Sequence, residues 1–337
     1  MFQIPPPELA LTCVRAVRSG AAGPDGLTDL QAAVVGTVAG NLFSTPVDPF
    51  GLEAVTPAQV ADEVTDPVLR HQVVVGMLGL SLMAHPPDPD GPARIGSYAR
   101  ALGVDEHMLA ATRHYVEGHR RRVLFDVARH GMFRPLLRRE VDERGLVPLV
   151  RQVGALEGWT EDAALADRFR ALEDHPAGSW GRVLWEFYDA HAWPLPGEKG
   201  AVPQVTSEHD WVHVLSGYPT TPLGEIQVNA FMAAGAPDDV AFSILFFAMG
   251  VYETGAISIP LGPSHVGTLA AEPDGGAQFA DALRRGAACR VDSLSMDHWA
   301  HAERPLTEVR EELGVGPKHL DGPDPTPSVP TEVVVQG

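Results

Sequence analysis

Apolar positions along this chain recur at helical spacing and in long unbroken runs, and proline and glycine punctuate them. Glu8 to Arg18 reads as one short helix, and the apolar stretch Leu27–Phe43 predicts another. Thr56-Pro57-Ala58-Gln59 supplies the cap, first-turn proline and N3 glutamine of a helix start. Asp66-Pro67 opens a further helix through an almost uniformly apolar stretch to Met83. A loop spanning His85 to Pro92 carries four prolines, and the next helix runs to Leu102, where Gly103 closes it. Val104-Asp105 starts one more. From Leu156 the pattern is again helical, interrupted by Pro176, Pro194, Pro196 and Pro203. No segment alternates long enough to form a strand, so the expected class is all-α. The expected organisation is a lead over 1–22, a helical domain over 23–150, and a second helical domain over 151–316 built around a metal-binding helix hairpin. The tail 317–337 lacks a core-forming period and is expected to be disordered.

Length and charge narrow this picture. A chain of 337 residues can bury two separate cores. Its net charge of −19 disfavours nucleic acid as a partner of the whole molecule. Cys13 and Cys289 lack metal-ligand spacing, which suggests a reducing compartment and no disulfide framework. The opening Met-Phe-Gln-Ile-Pro-Pro-Pro has no basic region followed by an apolar one, so no secretory signal is expected. The longest apolar run, Val240 to Tyr252, falls short of the roughly 20 residues that span a bilayer. A cytoplasmic protein, at most peripheral to the inner face of the membrane, is the expectation. One region departs from the acidic average: Arg113 to Arg151 holds ten arginines against five acids, interleaved with Leu124, Phe125, Met132 and Phe133. Such a stretch either lies on an anionic membrane or acidic partner, or is a solvated helix face at a domain junction.

The densest candidate chemistry is His209-Asp210-Trp211-Val212-His213, followed after eleven residues by Glu225. On a helix, His209 and His213 share a face one turn apart, and Asp210 lies about 100° round from His209. Ser216-Gly217-Tyr218-Pro219 breaks that helix, and Pro222-Leu223-Gly224-Glu225 has the form of the next helix start. A short turn makes the two helices antiparallel neighbours, which aims two imidazoles and two carboxylates at one point. That donor set suits zinc, manganese or ferrous iron better than calcium or magnesium. Four protein ligands would close a tetrahedral zinc site, whereas a shifting carboxylate would open it to substrate. The alternative is a buried, hydrogen-bonded polar cluster without metal. The His-Asp pair alone is also shared by metal-dependent hydrolases of phosphoesters.

The whole string resembles the signature of the coenzyme Q biosynthesis protein four family. The likeness continues through Val214-Leu215-Ser216-Gly217-Tyr218-Pro219-Thr220-Thr221-Pro222-Leu223-Gly224. It extends to Pro176-Ala177-Gly178-Ser179-Trp180-Gly181-Arg182 with Phe187-Tyr188, to Arg284-Arg285-Gly286-Ala287, and to Asp297-His298-Trp299 with Pro305 to Gly314. It covers roughly residues 165–315. Thr206-Ser207-Glu208 stands where that family usually has arginine-glutamate-threonine, and His298 is an insertion between aspartate and tryptophan. The resemblance implies an all-helical protein holding a divalent metal, most often zinc, through His209, Asp210, His213 and Glu225. It implies action on a polyprenylated aromatic precursor of ubiquinone: removal of the ring carboxylate at carbon one, hydroxylation there, and organisation of other quinone-pathway enzymes at the membrane. A non-catalytic, lipid-binding scaffold is the competing reading. Residues 25–120 are loosely similar to the tellurite-resistance TerB-like helical fold. No site is carried over from it, because the 85–92 loop is dominated by proline where that family often has metal-binding acids.

An isoprenoid tail needs an apolar groove, and Phe231, Phe242, Phe246 and Met249 are the candidate lining; core packing is the other role open to them. His298 and His301 beside Asp297 form a weaker second candidate pair. His114 and His119, five apart, do not share a helix face. Phosphate-binding glycine motifs and a Gly-x-Ser-x-Gly nucleophile are absent. The oligomeric state stays open, a homodimer included.

Overall fold

A computed structural model describes residues 2–105, 107–130, 159–259 and 263–318, together with Arg138, Val141, Asp142 and Gly145. The protein is all-α: among the described residues there are only isolated bridges and no named strand. The tail expected to be disordered falls, beyond Lys318, outside the described residues, as does most of the arginine-rich stretch past His130.

The chain forms two compact units, and the division is not sequential. Residues 2–130 return to a common unit with 220–287, whereas 159–219 join 288–317. Residues 220–287 thus group with the N-terminal helices, across the sequential order of two domains expected from the sequence.

In the first unit, α1 (Pro7–Ala21), α2 (Asp29–Thr37), α3 (Pro57–Glu63), α4 (Pro67–Ser81) and α5 (Gly91–Leu102) precede α6 (Met108–Val116) and α7 (Arg120–His130). Local chemistry sets most of these ends. Thr28 and Gln31 form a capping box on α2, and Thr56 and Gln59 form another on α3. The Asp66 carboxylate accepts from the amides of Val68 and Leu69 at 2.8 and 3.0 Å, starting α4. Gly103 closes α5 in the left-handed conformation, φ +69°. The apolar stretch from Leu27 does not stay one α-helix: after Thr37 it loosens into a π turn, Val38–Leu42. Gly40 and Asn41, both poor helix formers, lie in that turn. The helix expected from Val104 begins later, at Met108.

The unit's core is built on α4, whose Val74, Met77 and Leu78 are wholly buried. Burying a side chain of this size is worth about 1.5–3 kcal/mol. Gln31 spans from α2 and donates to the Leu80 carbonyl at 3.0 Å, satisfying a buried polar pair. The later segment supplies α11 (Pro222–Gly235), α12 (Asp238–Tyr252), α13 (Thr268–Ala271) and α14 (Gly275–Ala288). Gly79 of α4 faces the side chains of Phe242 and Leu245 on α12. Glu253, fully buried after α12, accepts from the Leu269 amide at 2.8 Å and pairs with His85 Nε2 at 2.9 Å. An isolated buried carboxylate would cost far more than this satisfied one.

The second unit holds α8 (Ala163–Arg170), α9 (Trp180–Ala190), α10 (Gln204–Ser216) and α15 (Leu306–Leu313), with 3₁₀ turns at Ala171–Asp174 and His298–His301. Its centre is aromatic. Trp180, Trp211, His298, Trp299 and Phe169 meet in successive edge and stacked pairs with centroids 5.0–5.8 Å apart. Trp180 Nε1 donates to the Trp211 carbonyl at 3.1 Å. Arg310 of α15 donates to the carbonyls of Leu215 and Val214 at 2.8 and 3.1 Å, occupying acceptors that the end of α10 leaves open.

At Gly286, an added methyl group would fall on the carbonyl oxygen of Phe231, so the backbones of α14 and α11 touch there. Gly286→Ala should therefore destabilise the protein by about 3 kcal/mol, read as a lowered midpoint in thermal or urea unfolding. Cys13 is buried, and burial pushes its thiol up to about 11. Alkylation of Cys13 at pH 8 should run about 100-fold slower than that of an unperturbed thiol, measured by mass spectrometry of the modified peptide.

Candidate metal centre

The centre is built from one local reversal of the chain. In α10, residues four apart fall on the same face, which brings the rings of His209 and His213 to 4.5 Å between centroids, edge to face at 79°. Gly217 ends the helix at φ +76°, a conformation a β-carbon would strain, and its amide returns to the His213 carbonyl at 2.8 Å. Thr221 then caps α11, its hydroxyl accepting from the Gly224 amide at 3.2 Å. With Pro222 in the first turn, Glu225 enters near the N-terminus, where the helix dipole favours a carboxylate.

His209, His213 and Glu225 each offer a ligand atom, and these atoms lie within 4.8 Å of one another. The group could hold a metal ion. Donors on one ion at bond lengths near 2.1 Å sit about 3.4 Å apart, so small side-chain rotations would complete the contact. His213 is buried, and its Nδ1 meets the Tyr218 carbonyl at 3.0 Å. A carbonyl only accepts, so Nδ1 carries the proton and Nε2 is left as the donor to a cation. The ring of Phe187 stacks on His213 at 6.0 Å and further restricts its orientation.

Asp210, the fourth expected ligand, does not belong to this group. Its Oδ2 accepts from the Tyr188 hydroxyl at 2.5 Å, and its Oδ1 lies 4.0 Å from His209 Nδ1. Asp210 thus stands beside the histidine. Tyr188 is buried, and desolvation, then the Asp210 charge and hydrogen bond, hold its phenol well above the usual range. A neutral Tyr188 hydroxyl is the donor that keeps this carboxylate oriented. Tyr252, at the end of α12, also has a raised phenol, mainly through burial and then through the Glu225 charge. Spacing along the chain assigned no role to Tyr188 or Tyr252; only tertiary packing sets them beside Asp210 and Glu225.

The apolar candidates divide. Phe231, Phe246 and Met249 are buried in the first unit. Phe242 is also buried, but lines a cavity of about 180 Å³ together with Val14, Val34, Leu80 and Leu245. Phe231, Phe246 and Met249 are not part of that lining. Cys13 shares this wall, and Ala233 and Ala234 bring α11 to it.

His298 is enclosed between Trp180 and Trp211, with Nε2 on the Ser293 carbonyl at 2.8 Å, so it belongs to the aromatic core. His301 bonds to Arg304 at 3.1 Å. His114 pairs with Asp126 at 2.7 Å and His119 with Glu117 at 3.0 Å. Both cysteines are buried and their thiols raised, chiefly by desolvation, which is the opposite of an activated nucleophile.

No protein-family description, curated protein or solved structure matches the chain.

Titration with zinc or cobalt should saturate at one ion per chain. His209→Ala and Glu225→Gln should each weaken it at least about 100-fold, whereas Asp210→Asn should change it within about tenfold, the range of a group that acts through a ligand. Calorimetry or cobalt absorption reads this. An equal loss for Asp210→Asn would make it a direct ligand.

Proposed function

We propose that this protein binds a divalent metal through His209, His213 and Glu225 and acts on a prenylated aromatic acid, a quinone precursor. The observation that carries the reading is the donor set itself: two imidazoles and one carboxylate, held on consecutive helices, with ligand atoms within 4.8 Å. Three protein donors leave coordination positions for substrate, the arrangement of catalytic rather than structural zinc sites. The same set is that of ferrous oxygenases, which makes iron a candidate beside zinc and manganese. When bound, such a dication supplies Lewis acidity toward a ring carboxylate and phenol, and iron adds the redox capacity that zinc lacks.

The chain's own groups supply the rest. The Tyr218 carbonyl fixes the His213 tautomer. Tyr188 and Asp210 form a closed pair beside His209, so the Asp210 charge favours an electropositive centre without leaving a buried carboxylate unsatisfied. Ala233 and Ala234 lie on the same helix as Glu225, eight residues or about 12 Å further along, and border the apolar cavity. A tail of two or three isoprene units matches that distance. The reaction consistent with these parts is replacement of the ring carboxylate by hydroxyl. The aromatic acid, one dioxygen, two electrons and two protons give the phenol, carbon dioxide and water. The electrons come from an external reductant.

The purified protein, loaded with iron, manganese or zinc, is supplied with a prenylated hydroxybenzoate, dioxygen and a reductant, and product and carbon dioxide are measured. Turnover with at least one metal is expected, reduced about 100-fold or more in Glu225→Gln with the fold intact by circular dichroism. Absence of turnover with every metal, together with unfolding on metal removal, would instead assign a structural ion in a lipid-binding scaffold.

A further inference from the structure

We propose that α7 is a membrane-docking helix that lays the first unit on an anionic phospholipid bilayer. In an acidic chain, residues 113–129 carry five arginines, at 113, 120, 121, 122 and 129, against Glu117 and Asp126. The helix divides these cleanly. Val123 and Val127, four apart, are buried and anchor it to the unit. On the far side of the helix Phe125 is 62% exposed, and on its flank Leu124 is 43% exposed, unusual for side chains of that size. Arg121 and Arg129 stand one turn before and one turn after Phe125 and are exposed, as is Arg122. The outward face is thus an aromatic and an aliphatic side chain framed by guanidinium groups.

That combination selects the occupant. Arginine alone would serve any polyanion, because phosphate attracts guanidinium in lipid and nucleic acid alike. An exposed Phe and Leu gain nothing from a duplex backbone but gain free energy on entering the acyl region beneath a layer of phosphates. The −19 charge of the molecule as a whole opposes approach to an anionic surface, so the local positive charge of this helix favours the side that carries it. Among the described residues no helix is long and apolar enough to cross a membrane, so contact through α7 is contact from one side. The proposal does not depend on the metal centre.

The full chain is sedimented with vesicles of phosphatidylcholine alone and with vesicles containing about one-third phosphatidylglycerol, at low and high salt. Binding is expected only to the anionic vesicles and should weaken as salt rises. Each arginine at the surface contributes about fivefold, so Arg121→Glu with Arg129→Glu should reduce partitioning at least about 25-fold. Phe125→Ser should reduce it about tenfold while leaving the charge unchanged. These side chains are exposed, so circular dichroism should be unaltered in every variant. A fluorophore on Phe125→Cys reads insertion directly, because the buried native thiols label slowly; its emission should shift to the blue on anionic vesicles. Equal binding to neutral vesicles, unchanged binding of the variants, or binding to duplex DNA with none to vesicles would each overturn the proposal.

Discussion

A helix that must end at Gly217 and restart at Thr221 is the constraint on which the candidate centre depends. The left-handed glycine returns its amide to the His213 carbonyl, and the turn presents the Tyr218 carbonyl to His213 Nδ1. One short reversal therefore terminates α10, sets the protonation of a buried imidazole and starts the helix that carries Glu225. A β-carbon at 217 would strain the turn, and loss of the Thr221 hydroxyl would leave an amide of α11 without its cap. Chain direction and ligand chemistry are here the same local problem.

The surroundings keep that turn rigid. Arg310, nearly a hundred residues away, occupies the last carbonyls of α10. Trp180 holds the Trp211 carbonyl from α9, and the stacked aromatic cluster fills the space behind. The Trp180 indole and the Tyr188 hydroxyl, both buried here, each find an acceptor, which a low-dielectric interior favours. Tyr188 illustrates the coupling: its burial keeps the hydroxyl protonated, and a protonated hydroxyl is what orients the Asp210 carboxylate.

The first unit solves a different problem, the burial of several nearly all-apolar helices. Gly286 lets two helix backbones touch, and Gln31 and Glu253 satisfy polar groups inside the resulting core. Packing there leaves the cavity beside Phe242. Its walls come from helices widely separated in sequence, so its existence follows from how they meet and not from any one stretch of the chain.

The capping box at Thr56, the Asp66 cap, the glycine stops at 103 and 217 and the His209–His213 spacing were all legible in the sequence, because each depends on residues within one helical turn; the box at Thr28, inside a stretch expected to be helical from Leu27, was not. The all-α class follows from the same periodicity. Tertiary structure decided what periodicity does not encode: that residues 220–287 rejoin the N-terminal helices, that His209, His213 and Glu225 come together as a group that could hold a metal ion while Asp210 bonds to Tyr188, and that Phe242 lines the cavity of the first unit while Phe231, Phe246 and Met249 do not line it. The physical reason is range. Caps and turns are settled by neighbours along the chain, whereas the direction a half-buried carboxylate or phenyl ring takes is settled by whichever distant side chain satisfies or encloses it.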